Sequence, residues 1–389
     1  MKTQSASALA FIALLSVMPA RAAEPVKIGM ITTLSGPGGY LGEDVRDGFQ
    51  LAIDQEQGKL GGVSVRVIVE DDGLKPGNAK QIAKKLLDSE QVKIFTGIIF
   101  TNVAVAVVPD ILDGSAFYIG ANAAPSNFAG KECDKNYFVV NWQNDALHEA
   151  AGQTATELSF QNAIAVVPNY QGGLDALAGF KRRFKGQVIN ELFTKLDQTD
   201  FAGEMAQIRA AKPNVVYQFQ PGGLGVAFLK QYAQAGLKET IPMVVAAPSM
   251  DYRTMTVVGE AATGVTLATF WNTDFDNPQS KRFVADFEAK YHRLPTFYAA
   301  QGYDAARLTA SALKAVDGDM GKPDAFRAAM RKANFDSVRG TFHFGPNQHP
   351  VQDWYAARVE TGSDGKLAIR TQKKILEDYG DSYAAACKM

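Results

Sequence analysis

The side chains that could do chemistry are spread thinly along this chain. Four histidines, His148, His292, His343 and His349, are scattered, with no two at ligand spacing on one helix, and there is no CxxC pair. Tetrahedral zinc sites rely on such spacing, so no metal is expected. The acidic run Glu70-Asp71-Asp72 reads as a strand end entering a turn rather than as a cation site. No G-x-S-x-G elbow presents a serine, and Pro248-Ser249-Met250 lacks the glycines such a turn needs. A Ser-His-Asp triad assembled from distant residues would leave no local signature, and nothing points to one. The loop Ser35-Gly36-Pro37-Gly38-Gly39-Tyr40-Leu41-Gly42 follows a strand and opens a helix, as dinucleotide-binding turns do. Leu41 holds the third glycine position, so the G-x-G-x-x-G fingerprint fails. The expectation is a chain with no catalytic residue and no cofactor.

What recurs is an aromatic or amide residue in the loop after each strand. Tyr40 and Leu41 lie in the first such loop, Phe100-Thr101-Asn102 after the third strand, and Ala121-Asn122-Ala123 after the fourth. The second half of the chain repeats the theme at Asn169-Tyr170-Gln171, Phe219-Gln220 and Ala247-Pro248. In open α/β sheets the carboxyl ends of the strands are where ligands bind. Any one of these rings could be core; their recurrence at the same end of successive strands favours a binding surface.

The elements carrying these loops follow a regular rhythm. β-branched runs at Val26–Thr33, Val63–Glu70, Val92–Gly97 and Ala116–Ile119 alternate with helical patterns at Asp44–Gln57, Pro76–Asp88 and Val103–Asp113. On the second of these helices Ala79, Ile82, Ala83, Leu86 and Leu87 share one face. The rhythm restarts with a helix over Asp145–Phe160. Strands follow at Ala163–Val167, Val188–Phe193, Val215–Phe219 and Ile241–Ala246, with helices between them. Beyond Phe270 three helical stretches and three β-like stretches return to complete the two units. This predicts an α/β fold of two doubly wound parallel-sheet lobes. Three hinge crossings are expected near residues 141–144, 270–273 and 345–351. Lobe 1 would comprise 24–142 with 272–345, and lobe 2 would comprise 143–271 with 346–389.

Length and composition agree with this plan. The 389 residues are 46% hydrophobic and 21% charged, enough for two cores. Forty Lys and Arg against 41 Asp and Glu leave a net charge of −1, with no basic face for nucleic acid or an anionic membrane. Lys2, the apolar stretch from Ala8 to Val17 and the small-x-small site Ala20-Arg21-Ala22 form a leader over residues 1–23, cut near Ala22 or Ala23. The mature chain is therefore expected to be exported, soluble and periplasmic. In that oxidising compartment Cys133 and Cys387 could form a disulfide, two free buried thiols being the alternative.

Several of these residues carry a family resemblance. The strand leading into Thr33-Leu34-Ser35-Gly36-Pro37, the Glu70-Asp71-Asp72 strand end, Thr199-Asp200-Phe201 opening a helix and Gln301-Gly302-Tyr303-Asp304-Ala305 resemble the branched-chain amino-acid type of ABC-transporter periplasmic binding protein. The match runs in order along the whole mature chain. It implies a type I periplasmic-binding fold, closure around a ligand, an ABC permease as partner and a monomer. It also implies that a ligand carboxylate is held on lobe 1 by the Thr101 hydroxyl and by backbone groups at Ala121 and Ala123. Thr101 or Asn102 would start a helix there, where unpaired N–H groups and the dipole favour an anion.

One departure bears on the ligand. Amino-acid binders of this family place a carboxylate after the strand ending at Ala246, and Pro248 stands at that position here, between Ala247 and Ser249. An unpaired buried ammonium would cost several kcal/mol. The expected ligand is therefore a carboxylate without an amine, and Tyr40, Phe100, Tyr170 and Phe219 suggest a flat, benzoate-like or phenylpropenoid acid. The rival is an aliphatic amino acid whose ammonium is reached by Asp251. A ligand-sensing regulator of the same fold is the alternative of another class.

Overall fold

The computed structural model describes residues 24–389, so the expected leader lies outside the described residues. The first segment runs β1 (Val26–Thr32), α1 (Gly39–Gln55), β2 (Lys59–Leu60), β3 (Val63–Asp71), α2 (Pro76–Asp88), β4 (Ile94–Thr96), α3 (Thr101–Asp113), β5 (Phe117–Gly120) and β6 (Tyr137–Val139). Its strands form one sheet in the order β2-β3-β1-β4-β5-β6, parallel throughout except for the β2–β3 pair. Strands β4 to β6 are buried on both faces, which is why they read as unbroken apolar runs rather than as alternations.

The chain then enters α4 (Asn144–Glu157), β7 (Asn162–Pro168), α5 (Gln171–Arg183), β8 (Gln187–Thr194), α6 (Ala202–Ala211), β9 (Val215–Gln218), α7 (Gly223–Gln234), β10 (Met243–Ala246), α8 (Tyr252–Val258) and β11 (Thr266–Thr269). These strands make a second sheet, parallel from β11 through β10, β9 and β7 to β8. The helices α9 (Pro278–Tyr291), α10 (Phe297–Ala315) and α11 (Pro323–Lys332) follow. The final strands β12 (His343–Phe344), β13 (Pro350–Thr361) and β14 (Leu367–Tyr379) all join the second sheet as antiparallel additions. The expected doubly wound α/β pair is present, with an antiparallel margin on one sheet that the parallel rhythm did not include. β12 sits between the sheets: it hydrogen-bonds to β13 while the Phe344 ring packs edge-on against Phe138 of β6, with centroids 5.6 Å apart.

Each lobe brings two helices into near backbone contact through glycines. A Cβ on Gly48 of α1 would lie 1.9 Å from the Ala299 carbonyl oxygen, and one on Gly302 of α10 would lie 2.0 Å from that of Val45. Helix α10, late in the sequence, is thereby seated on the first lobe. The tail after β14 docks back on α4. Ser382 donates to Glu149 at 2.7 Å and Tyr383 donates to Asp145 at 2.9 Å. Cys387 is then disulfide-bonded to Cys133, 254 residues earlier, in the loop entering β6, with Cα atoms 5.7 Å apart.

The acidic run after β3 sets the first site loop. β3 ends at Asp71, whose Oδ1 accepts the Leu34 and Gly73 N–H groups at 2.8 Å each. Asp72 accepts from the Thr33 hydroxyl and the Leu74 N–H at 2.7 Å each. Both carboxylates thus serve a turn and its neighbouring loop.

Candidate functional site

A small, partly enclosed cavity of about 30 Å³ lies where the carboxyl ends of both sheets face each other. The first lobe supplies Leu41 from α1, Ile99, Phe100 and Thr101 at the start of α3, and Asn122 and Ala123 after β5. The second supplies Tyr170 and Gly172 at the start of α5, Phe219 and Pro221 after β9, and Pro248 after β10. Eight of the thirteen ligand-binding residues expected from sequence therefore line one cavity: Leu41, Phe100, Thr101, Asn122, Ala123, Tyr170, Phe219 and Pro248.

The other five stand close by with different partners. Tyr40 bridges the lobes, its hydroxyl 2.7 Å from Asp251 Oδ2 and 2.9 Å from Thr254 Oγ1. Gln171 reaches Asp175 at 2.7 Å. Gln220 is fully buried and bonds to Thr194, a packing role. Ala121 is buried without lining the cavity. Asn102 lies inside α3, its buried Oδ1 without a partner among the described residues. The Ala123 N–H donates to the Ile98 carbonyl oxygen at 3.2 Å.

Two helix N-termini converge on the cavity, α3 from one lobe and α5 from the other, and neither has a side-chain cap. Unfilled N-terminal N–H groups favour an anion. The Thr101 hydroxyl sits between them, beside that of Tyr170, and accepts from Asn144 Nδ2 at 3.1 Å. Gly172 makes room for that pair, since a Cβ there would be 2.6 Å from the Tyr170 hydroxyl and 2.8 Å from Thr101 Oγ1. Asn144 is itself fixed, donating to Asp175 Oδ2 at 3.0 Å and accepting from the Ala124 N–H at 3.1 Å. Asn144 engages one lone pair of the Thr101 hydroxyl, which keeps a proton and a second lone pair for another partner.

Sequence reasoning missed Trp142, Asn144, Leu147, His148, Gly172, Pro221 and Tyr298 as cavity residues, along with Ile99. Trp142 comes from the strand-to-helix crossing, Asn144, Leu147 and His148 from the first two turns of α4, and Tyr298 from α10. The i, i+3, i+4 stripe of Asn144, Leu147 and His148 was the available signal.

No residue lining the cavity is Asp, Glu, Lys or Arg. Asp251, the alternative partner for an ammonium, lines a different and smaller hollow. Its two oxygens are taken by Tyr40 and by the Thr254 N–H at 2.7 Å, where it caps α8. Burial holds its carboxyl above the usual range. A wider hollow around Asp274, Arg339, Gln352 and Lys374 is open to solvent, and its charges are matched within the protein, as in the 2.7 Å Lys374–Asp353 pair. Among the described residues no cluster of three His, Cys, Asp or Glu side chains could hold a metal, and no helix is long and apolar enough to cross a membrane.

Two facing α/β lobes around an enclosed cleft define a two-lobed binding protein. The chain belongs to the periplasmic binding protein family, whose sequence profile matches residues 25–366. It has the type I fold of ABC-transporter solute-binding proteins. Among curated proteins it is similar to the Leu/Ile/Val-binding protein homolog 6 of Brucella melitensis, 27% identical over 96% of this chain and 97% of that one. Among solved structures it resembles an R. palustris ABC-transporter solute-binding protein in complex with benzoate, at 30% identity and a TM-score of 0.89, covering 94% of this chain and 100% of the other. It also resembles an R. palustris solute-binding protein in complex with 4-hydroxybenzoate, at 26% identity and a TM-score of 0.84, over 92% and 98% of the two chains.

Proposed function

We propose that this chain is the exported, periplasmic solute-binding component of an ABC importer, that it has no enzymatic activity, and that it captures a small aromatic carboxylate between its closing lobes. The carrying observation is the interlobe cavity, ringed by Phe100, Trp142, Tyr170, Phe219 and Tyr298 and free of charged side chains, with two helix N-termini opening on it. Such a site offers N–H and hydroxyl donors to a carboxylate and ring faces to a flat apolar body. It offers nothing to neutralise an ammonium. The benzoate and 4-hydroxybenzoate complexes of related proteins point the same way.

On this reading residues 24–142 with 272–345 form the lobe that first takes the ligand, and 143–271 with 346–389 form the lobe that closes over it. Sheet membership supports that division except at β12, which pairs with β13 of the second sheet. The ligand carboxylate sits on Thr101. The partner is a membrane permease that distinguishes the closed, loaded protein from the open one. The protein acts as a monomer, without nucleic acid. A branched-chain amino acid is the second reading, favoured by the Leu/Ile/Val-binding relatives and opposed by the absence of a carboxylate in the cavity. A sensor of the same fold would lack the permease.

A thermal-shift screen of the mature protein against aromatic carboxylates and aliphatic amino acids tests the reading, with calorimetry on the hits. A ligand at 100 times its dissociation constant stabilises by about 2.7 kcal/mol. Stabilisation by aromatic acids alone is expected; stabilisation by leucine alone would overturn it. Thr101→Val removes a hydrogen bond to a charged group and should weaken binding by about 1.5–3 kcal/mol. Unchanged binding would displace the carboxylate from Thr101.

A further inference from the structure

Several polar groups of the cavity have no hydrogen-bond partner among the described residues, Asn122 Oδ1 and the His148 ring edge among them. His148 lies one turn beyond Asn144 on the same face of α4, about 6 Å along the axis at 1.5 Å per residue. Its ring is 2% exposed, lines the cavity, and meets Phe219 edge-on with centroids 4.7 Å apart. Nδ1 lies 2.7 Å from the Tyr217 hydroxyl. Nε2, on the far side of the ring from Tyr217, makes no hydrogen bond among the described residues. Burying a polar group unmatched is costly, so an imidazole edge kept in a ligand cavity calls for a ligand atom.

Tyr217 holds that ring from behind. Its hydroxyl is fully buried, 2.7 Å from Nδ1 and 3.4 Å from the Ala176 carbonyl oxygen. The carbonyl can only accept, so keeping both contacts sends the phenolic proton to Ala176 and puts the imidazole proton on Nδ1. Burial pushes the His148 pKa down to about 3, so the ring stays neutral at ordinary pH. Nε2 is then an oriented, uncharged acceptor, suited to a hydroxyl proton.

We propose that His148 is a specificity-determining residue that accepts at Nε2 the proton of a hydroxyl on the ligand ring opposite the carboxylate, selecting 4-hydroxylated aromatic acids over unsubstituted ones. The inference rests on the aromatic-acid reading of the cavity. With the carboxylate held at Thr101, beside Asn144, one helical turn to His148 is comparable with the span of a benzene ring bearing substituents at opposite ends. Tyr298, buried and lining the same cavity, has a hydroxyl without a partner among the described residues and can donate to the ligand's phenolic oxygen. Tyr217 does not line the cavity; it is a positioning residue.

Calorimetry with benzoate and 4-hydroxybenzoate on the mature chain and on His148→Leu, His148→Gln and Tyr217→Phe tests this. The wild type should prefer 4-hydroxybenzoate by about tenfold or more, as one uncompensated buried polar group implies. His148→Leu should weaken 4-hydroxybenzoate by about tenfold more than it weakens benzoate, erasing the preference. His148→Gln, which keeps an acceptor, should retain part of it, and Tyr217→Phe should reduce it by freeing the imidazole to change tautomer. Equal wild-type affinities would overturn the proposal. So would equal weakening of both acids by His148→Leu, or a preference erased by Tyr298→Phe and untouched by His148→Leu. If neither acid binds the wild type while an amino acid does, the aromatic-acid reading itself falls, a different signature from the loss of preference alone.

Discussion

The two rims of the cleft hold the lobes together by different means. On one rim, α1 faces the start of α8. Tyr40 donates to Asp251, and Arg253 lies over the Tyr40 ring at 4.8 Å while pairing with Glu43 at 3.2 Å and with Asp44 at 3.1 Å. On the other rim, Asp175 of α5 is 3% exposed and has no cation within ion-pair distance among the described residues. Four donors satisfy it instead. Ser126 gives its N–H at 3.2 Å and its hydroxyl at 2.7 Å, Gln171 gives an amide proton at 2.7 Å, and Asn144 gives one at 3.0 Å. The first rim is partly wet and charged, and its ion pairs end at the surface. The second is dry and neutralised by dipoles, and through Asn144 it continues into Thr101 and the cavity. Closure on the second rim is therefore wired to the ligand site, whereas closure on the first is a separate fastening.

That contrast can be broken by substitution, with unequal expected effects. Asp175→Ala strands the donors of Ser126, Asn144 and Gln171 and frees Asn144 from its orientation. Ligand affinity should fall by about 1.5–3 kcal/mol, ten- to hundredfold; calorimetry showing no change would mean the second rim is not coupled to the site. Tyr40→Phe removes one hydrogen bond to a buried carboxylate on the first rim and should cost about 0.5–1.5 kcal/mol of closure. It should be read as a shift in the compact fraction by small-angle scattering, with little change in ligand selectivity.

The pH response should also separate the rims. Asp44 has its pKa raised to about 6 by burial, despite Arg293, Thr296 and Arg253. An acid with a raised folded-state pKa holds its proton more tightly in the folded chain than in the unfolded one. Its contribution to stability therefore grows as pH falls through about 6 toward 4. Melting temperatures from pH 7 to 5 should hold or rise in the wild type, and Asp44→Asn should lose that component. Asp145, also raised to about 6, mainly by burial and by the neighbouring Asp175 charge, adds in the same direction. The smallest expected effect is at Arg253, whose side chain is 32% exposed. Arg253→Gln should change stability by under about 1 kcal/mol and should lower its salt dependence.

The parts legible in the sequence were those that local pattern determines. Helix bounds such as Pro76–Asp88 match the expectation because Pro at N1 and an apolar stripe mark them. The loops after β4, β5, β7, β9 and β10 were found because strand ends locate them without tertiary knowledge. β6 and β11, of three and four residues, were too short to leave a period and were missed. So was α8, whose helix signal is the single cap at Asp251. Trp142, His148 and Tyr298 join the cavity because a crossing segment, a neighbouring lobe and a late helix converge there, a tertiary convergence that strand ends do not mark. Tyr40 was expected to contact the ligand, but its hydroxyl bonds to Asp251 across the gap and it does not line the cavity, a pairing that strand spacing does not encode.

The disulfide from Cys387 to Cys133 has a mechanical meaning. The tail that carries Cys387 is anchored on α4 of the second lobe, and Cys133 belongs to the loop entering a strand of the first. The lobes are thus joined by three crossings of the chain and by a covalent strap behind them. Each added tether removes ways for two bodies to twist or slide, and what is left approaches rotation about one axis. A device with one degree of freedom has a single readable coordinate: how far it is shut.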